Sequence, residues 1–124
     1  MWKSWKPGDD AGSSAVEFAL VLMLLVVLLF GIIQYGYTFF EYIQVAHAAR
    51  EAVRWGALGA SDAVIRAKAA AAAPELGADA TVSILRTGLE SVAVTVSHPV
   101  TQLAPLPSIA VPASVSSTAV QRIE

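Results

Sequence analysis

The strongest constraint in this 124-residue sequence is an apolar run near its N-terminus. The stretch from Phe18 to Ile33 contains no charged or strongly polar residue, and the stretch from Gln34 to Phe40 adds four aromatic residues. Together these about 23 residues form roughly 34 Å of helix, enough to cross a hydrocarbon core about 30 Å thick. The aromatic residues stand where an interfacial belt is expected. The run predicts a membrane-spanning helix over residues 13–40.

A buried core helix and a secretory signal peptide both fit the run less well. A buried core helix needs neighbours on every side, and the rest of the chain is too small to supply them. A secretory signal peptide usually has an apolar core of about 7–15 residues that ends at a small-residue cleavage site. Here the helical pattern continues from Gly36 to Leu58 without such a site. We therefore expect the segment to remain in the mature protein.

The composition argues against a nucleic-acid-binding protein. Hydrophobic residues make up 56% of the chain and charged residues 15%, below the roughly 25% charged residues of soluble domains. The net charge is −2 and no basic cluster is present, so nucleic acid is not expected as a partner. Cysteine is absent, which excludes a disulfide framework and thiolate metal sites.

The helical pattern continues well beyond the membrane segment. Ile43, Ala46, Ala49 and Val53 extend an apolar stripe at helical spacing. The first stop signals are two glycines, so a helix from about Ser13 to Gly56 is predicted, with about 44 residues and a length of roughly 66 Å. This length exceeds what a bilayer needs. The distal half of the helix must pack against another part of the chain.

The remainder predicts a small α+β head over residues 41–124. A second helix begins at Ser61-Asp62, runs through an alanine-rich segment and ends at Pro74. Alternating β-branched residues then predict three antiparallel strands, over residues 80–86, 91–97 and 113–124, with a proline-spaced loop before the third. Three strands need a covering helix for stability, and the distal half of the first helix can supply it.

A single carboxylate, Glu17, stands at the edge of the apolar run. An ionisable group in hydrocarbon costs roughly 2.5–3.5 kcal/mol on insertion scales, so its presence is a functional hypothesis by default. The alternative is that Glu17 lies at the level of the lipid headgroups and stays hydrated. Gly12 precedes it by five residues, and Phe18 follows it directly.

This pattern of Gly12, "SSAV", Glu17-Phe18 and an apolar run resembles the processing site of type IV pilin-like proteins. More narrowly, "AVEFALVLMLL", "AAREAVRWG" and the terminal "AVQRIE" resemble the TadE-like proteins of the tight-adherence (Flp) pilus system. Two features depart from the family pattern: Asp9 and Asp10 replace the usual basic residues, and Met23 stands where proline is common.

The resemblance implies a precursor with a leader at residues 1–12, which a prepilin peptidase removes by cutting between Gly12 and Ser13. It implies that Glu17, with Phe18 beside it, sets the register between subunits by pairing with the new α-ammonium of a neighbour. The implied partners are other pilin-like subunits, the prepilin peptidase, the inner-membrane pilus assembly platform and membrane lipid. The implied fold is a pilin-like head on a long helix, and no cofactor is implied.

Other polar residues give weak signals. His47 and Glu51 are four residues apart on the helix, but two ligands without a third do not form a metal site. No nucleophile elbow or phosphate-binding loop is present, so no catalytic residue and no enzymatic activity are expected. Arg50, Glu51 and Arg54 lie in the family-like "AAREAVRWG"; we interpret them as possible contacts between helix and head, with solvated surface as an equal alternative.

The sequence as a whole favours a minor pilin or pseudopilin of a tight-adherence pilus, active in pilus assembly and surface adhesion. We expect a single-pass protein of the bacterial inner membrane, with the N-terminus in the cytoplasm and the head outside it. The alternative is a single-pass, membrane-anchored extracytoplasmic binding domain that is never cut and never assembles.

Overall fold

A computed structural model describes residues 8–88 and 90–123 of the chain. Its dominant element is one continuous helix, α1, over Gly8–Ala57, which is 50 residues long. The helix begins five residues before the predicted start at Ser13 and ends one residue beyond Gly56. The predicted leader, residues 1–12, lies mostly outside the described residues.

Gly59 ends the long helix, whereas Gly56 lies inside it. The Gly59 backbone has a φ of +78°, which is easily accessible only to glycine. Its N–H donates to the Gly56 carbonyl at 3.1 Å, and the Ala60 N–H donates to the Trp55 carbonyl at 3.1 Å. This pair of bonds is a Schellman motif, which satisfies the last carbonyls of the helix.

The rest of the chain forms the predicted α+β head. A second helix, α2, spans Asp62–Ala72 and is followed by a 3-10 helix over Pro74–Asp79. The strands are β1 over Thr81–Thr87, β2 over Ser91–Pro99 and β3 over Ser114–Arg122, with a short 3-10 turn at Ser108–Ala110 before the last. The predicted fold class is confirmed, and each strand lies within two residues of its predicted bounds.

The three strands form one antiparallel sheet in the order β1-β2-β3. The central strand, β2, runs back along α1, so that Val92 lies beside Gly56 near the end of the helix and His98 lies beside Glu41. The inward-facing residues of β2 are all buried, and they are Val92, Val94, Val96 and His98. The start of β3 pairs with the end of β2, as His98 lies opposite Val115.

The hydrophobic core lies between the distal part of α1, the helix α2 and the sheet. Small residues on α1 allow the other two elements to approach closely, and Ile65 of α2 is completely buried between them. The prediction that Ile43 belongs to the packed apolar stripe was wrong, because Ile43 is 49% exposed. It lies four residues after Phe39 on the exposed side of the helix. The buried hydrophobic residues of α1 are Val45, Ala46, Ala48, Ala49, Ala52, Val53 and Ala57.

Cationic side chains attach α2 to its neighbours. The Arg66 guanidinium donates to the Val82 carbonyl of β1 at 2.6 Å. Arg86 of β1 donates to the Ala60 carbonyl at 2.8 Å and to the Asp62 carboxylate at 2.9 Å, at the start of α2. The Lys68 ammonium lies 4.3 Å from the centre of the Trp55 ring on α1. Polar contacts thus supplement the alanine-rich packing surface of α2.

Candidate functional site: the exposed half of the long helix and its loop

The first half of α1 has almost no neighbours within the chain. It is the only helix in the described part of the chain that is long and apolar enough to cross a membrane, and none of its most apolar stretch is buried. A core helix of a soluble protein would be covered on most sides. The exposure of this half indicates a single-pass membrane anchor.

Four of the predicted site residues lie on this exposed half. Gly12, Ser13, Glu17 and Phe18 are all within α1 and all exposed. Glu17 is the only charged residue between Ala11 and Phe40. Within the described residues it forms no ion pair and no side-chain hydrogen bond. Cleavage after Gly12 and the register role of Glu17 stay predictions.

A loop over residues 100–113 returns along α1 towards the N-terminus. Its main anchor is Gln34, whose side chain is 1% exposed. The side-chain oxygen of Gln34, Oε1, accepts hydrogen bonds from the backbone N–H groups of Leu103 at 2.8 Å and Ala104 at 3.1 Å. The Gln34 amide nitrogen donates to the Thr101 carbonyl at 3.0 Å. One side chain of the helix therefore holds three backbone groups of the loop.

A buried carboxylate holds the start of the same loop. Glu41 is 3% exposed, and both of its carboxylate oxygens accept from the Thr101 N–H, at 3.2 and 3.3 Å. The His98 Nε2 lies 3.7 Å from Glu41 Oε1, and no described residue forms a hydrogen bond with His98 Nδ1, which is buried. A carboxylate at this position is stabilised by charge-assisted hydrogen bonding to the loop backbone.

The tip of the loop lies beside the apolar run. Pro105 and Leu106 line a shallow groove of about 430 Å³ together with α1 residues from Ala19 to Phe30. On the returning arm of the loop, the Tyr35 hydroxyl donates to the Ala110 carbonyl. The structure therefore brings an irregular segment of the head alongside residues 19–35 of the helix.

Sequence reasoning missed this polar junction. The helical pattern alone puts Glu41 on the solvated surface, and the strand pattern makes His98 an ordinary strand-end residue; both are buried. A signal was present, because Gln34, Thr38 and Glu41 are spaced by four and three residues and so share one helix face. The Thr38 hydroxyl donates to the Gln34 carbonyl of its own helix at 3.0 Å.

The three predicted helix–head residues make contacts within α1. The Arg50 Nε donates to the Ala46 carbonyl at 3.1 Å, and Glu51 accepts from the Trp55 indole N–H at 2.9 Å. Arg54 is largely exposed and lies 4.0 Å from the Glu51 carboxylate. A contact of these residues with the head stays a prediction. The described polar ties between α2 and the sheet come from Arg66 and Arg86, and α1 meets the sheet at Glu41 and His98.

A second concavity lies between α2, β1 and α1. It is a cleft of about 340 Å³, and its lining includes five alanines and Arg66. Among residues 8–88 and 90–123, no three His, Asp or Glu side chains come together as a metal-binding group would. The cleft therefore offers shape but little distinctive chemistry.

A family model described as TadE-like protein matches residues 12–54 of the chain. No curated protein and no solved structure shows significant similarity to this chain. The matched segment begins at Gly12, includes Glu17 and the whole apolar run, and ends at Arg54 inside α1. Residues 12–54 are thus similar to the TadE-like family, and the resemblance found in the sequence is confirmed over this segment. The terminal "AVQRIE" lies outside the match.

Proposed function

We propose that this chain is a minor pilin or pseudopilin of a tight-adherence pilus. The TadE-like match supports an association with this pilus system and favours a structural over a catalytic role. The observation that carries the proposal is the exposed half of α1, an apolar helix surface with one carboxylate. Such a surface needs lipid to cover it before assembly and neighbouring helices to cover it afterwards.

Glu17 is the only charged residue on this apolar surface. Side chains between Phe18 and Ile33 are apolar on every side of the helix, so sliding one helix along another changes little in their packing. A carboxylate that pairs with a complementary charge breaks this degeneracy, as a single polar residue does in coiled coils. Leaving the charge buried and unpaired costs several kcal/mol, which penalises every other register.

The complementary charge comes from processing. Cleavage between Gly12 and Ser13 converts a peptide nitrogen into an α-ammonium, close to the level of Glu17 along the helix. In the assembled fibre, the ammonium of one subunit pairs with Glu17 of its neighbour. The subunit waits in the inner membrane as a single-pass protein with its head outside the cytoplasm, and contributes to surface adhesion once assembled.

Intact-mass measurement of the membrane-extracted protein tests the processing step. We expect a mature chain of 112 residues that begins at Ser13, the 124 residues of the precursor less the 12 of the leader. The control is the same protein from cells without the prepilin peptidase, which should keep its full length. A full-length chain from cells with an active peptidase contradicts the proposal and favours an anchored binding domain that does not assemble.

The substitution Glu17→Ala tests the register role. We expect normal membrane insertion and normal cleavage, but loss of the protein from sheared pili, because the α-ammonium of the neighbour loses its partner. Immunoblots of the membrane and pilus fractions measure both quantities. Glu75→Ala is the matched control, since Glu75 is an exposed carboxylate on the head. Equal pilus incorporation of the two variants would refute the register argument.

A further inference from the structure

We infer that the tip of the loop over residues 100–113 inserts into the outer part of the same membrane that α1 enters, where its partner is lipid. This inference rests on the membrane anchor and does not depend on pilus assembly. Four observations support it: the position of the loop, its lack of charge, the exposure of its apolar side chains and the hydrogen bonds that many of its backbone groups make within the protein.

The loop reaches far along the helix towards the membrane. The start of the loop is held at Glu41. Its tip, at Pro105 and Leu106, shares a groove with α1 residues between Ala19 and Phe30. Glu41 and Phe30 are 11 positions apart, which corresponds to roughly 16 Å along the helix axis at 1.5 Å per residue. The tip therefore lies beside the apolar run and not beside the polar surface of the head.

The segment is free of full charges over a long stretch. Between Glu90 and Arg122 the sequence contains no Asp, Glu, Lys or Arg, and the loop itself carries leucine, isoleucine, valine and proline. Charged residues are the most costly groups to place in a membrane, at about 2.5–3.5 kcal/mol each at the centre of a helix. This loop has none to remove from water.

Two apolar side chains that flank the tip, one on each side, are exposed. Ile109 is 95% exposed and Leu103 is 52% exposed. A single exposed apolar residue needs no explanation, but the backbone at both residues is held to α1 at the end of its apolar run, since Leu103 donates to Gln34 and Ala110, next to Ile109, accepts from Tyr35. Lipid that covers the helix at this depth also covers the loop, so the two surfaces form one continuous lipid contact.

Many backbone groups of the loop have protein hydrogen-bond partners, which suits low-dielectric surroundings. Irregular backbone is tolerated at membrane depth only where protein groups replace water. Gln34 and Glu41 form hydrogen bonds with backbone groups of residues 101–104. The Tyr35 hydroxyl donates to the Ala110 carbonyl. The Gln102 amide donates to the Leu106 carbonyl at 2.6 Å. Three prolines, at positions 105, 107 and 112, remove N–H donors altogether.

The absence of cysteine allows a direct test with single labels. The full-length chain carrying Ile109→Cys is labelled with an environment-sensitive fluorophore and reconstituted in phosphatidylethanolamine–phosphatidylglycerol vesicles. The matched control is Val120→Cys, because Val120 is an exposed aliphatic residue near the end of β3 farthest from the loop. The probes are spin-labelled lipids, which quench from within the bilayer, and iodide, which quenches from water.

We expect the label at position 109 to be blue-shifted, quenched by spin-labelled lipid and protected from iodide, whereas the label at position 120 shows the reverse. Equal iodide quenching at both positions overturns the inference. Protection at position 109 that disappears when the protein is diluted with lipid also overturns it, since a second copy would then be the cover. Leu103→Cys repeats the test if the label at position 109 changes the near-UV circular dichroism. The vesicles contain no pilus machinery, so the result is independent of the proposed pilus function.

Discussion

Gly56 shows how closely the sheet approaches the long helix. A Cβ atom built on Gly56 would lie 3.1 Å from both Cγ atoms of Val92 and 3.4 Å from the Cδ1 of Ile65. Because Val92 and Ile65 are completely buried, neither can move aside without disturbing the core. Gly36, on the same helix, has no heavy atom within 4 Å of the equivalent position. The two glycines therefore have different roles.

Replacing Gly56 by leucine should destabilise the head. We expect a loss of about 1–3 kcal/mol, the usual cost of overpacking a well-filled core, offset by less than about 1 kcal/mol from better helix propensity. Thermal unfolding in detergent, followed by near-UV circular dichroism, measures the change. Gly36→Leu is the control and should leave the transition unchanged or raise it. If both variants melt at the same temperature, the close approach of β2 to α1 at Gly56 is wrong.

At the same scale, the sequence revealed the residues of the motif but not those of the junction. Gly12, Glu17 and Phe18 could be singled out because their spacing and their apolar context are local. Glu41 and His98 could not, because their burial depends on contacts more than 50 positions apart in the chain. A carboxylate on an amphipathic helix matches solvated surface equally well, and only the path of the loop decides between the two.

At the scale of the element, α1 is one helix in two environments. Its first half is exposed within the chain, whereas its distal half packs against α2 and the sheet. Periodicity predicted both halves and the three strands, since side-chain alternation reports directly on which face is covered. The loop over residues 100–113 was predicted only as irregular, because proline spacing excludes regular structure but does not specify a path.

The loop's path should depend on Gln34. Replacing Gln34 by alanine removes the acceptor for the Leu103 and Ala104 N–H groups and the donor to the Thr101 carbonyl. A buried polar group left without a partner costs about 1–3 kcal/mol, so we expect residues 101–104 to open more often. Hydrogen exchange measures this as faster exchange of the Leu103 and Ala104 amides.

Gln44→Ala is the matched control for this prediction, because Gln44 is a half-buried glutamine of α1 for which no hydrogen bond to the described residues is found. It should leave the exchange of the loop amides unchanged. Equal protection of Leu103 in the Gln34→Ala variant and in the unmodified protein would show that the loop is held by its apolar contacts alone.

At the scale of the whole molecule, the head carries its own core. The buried cluster of hydrophobic residues begins at Val45 and includes no residue from the apolar run. Pairing β2 with both neighbours and covering the sheet with α1 and α2 satisfies the requirement that a small sheet has a packed face. The apolar surface of the anchor is covered only by lipid or neighbouring helices, whereas the head buries its apolar side chains against one another.

A chain starting at Gly31 should therefore fold without a membrane. It retains Gln34, Glu41 and the whole core, and it loses Trp2 and Trp5, so Trp55 becomes its only tryptophan. Trp55 bonds to Glu51 and lies under Lys68 of α2, so its fluorescence reports the docking of the two helices. We expect a single cooperative unfolding transition in urea.

Val94→Ala, at a completely buried position, should lower the free energy of unfolding of this shortened chain by about 2 kcal/mol, whereas Val120→Ala, at an exposed one, should change it little. A gradual, non-cooperative change in Trp55 fluorescence would mean that the head depends on the membrane half of α1, because only a head with an independent core unfolds as one unit.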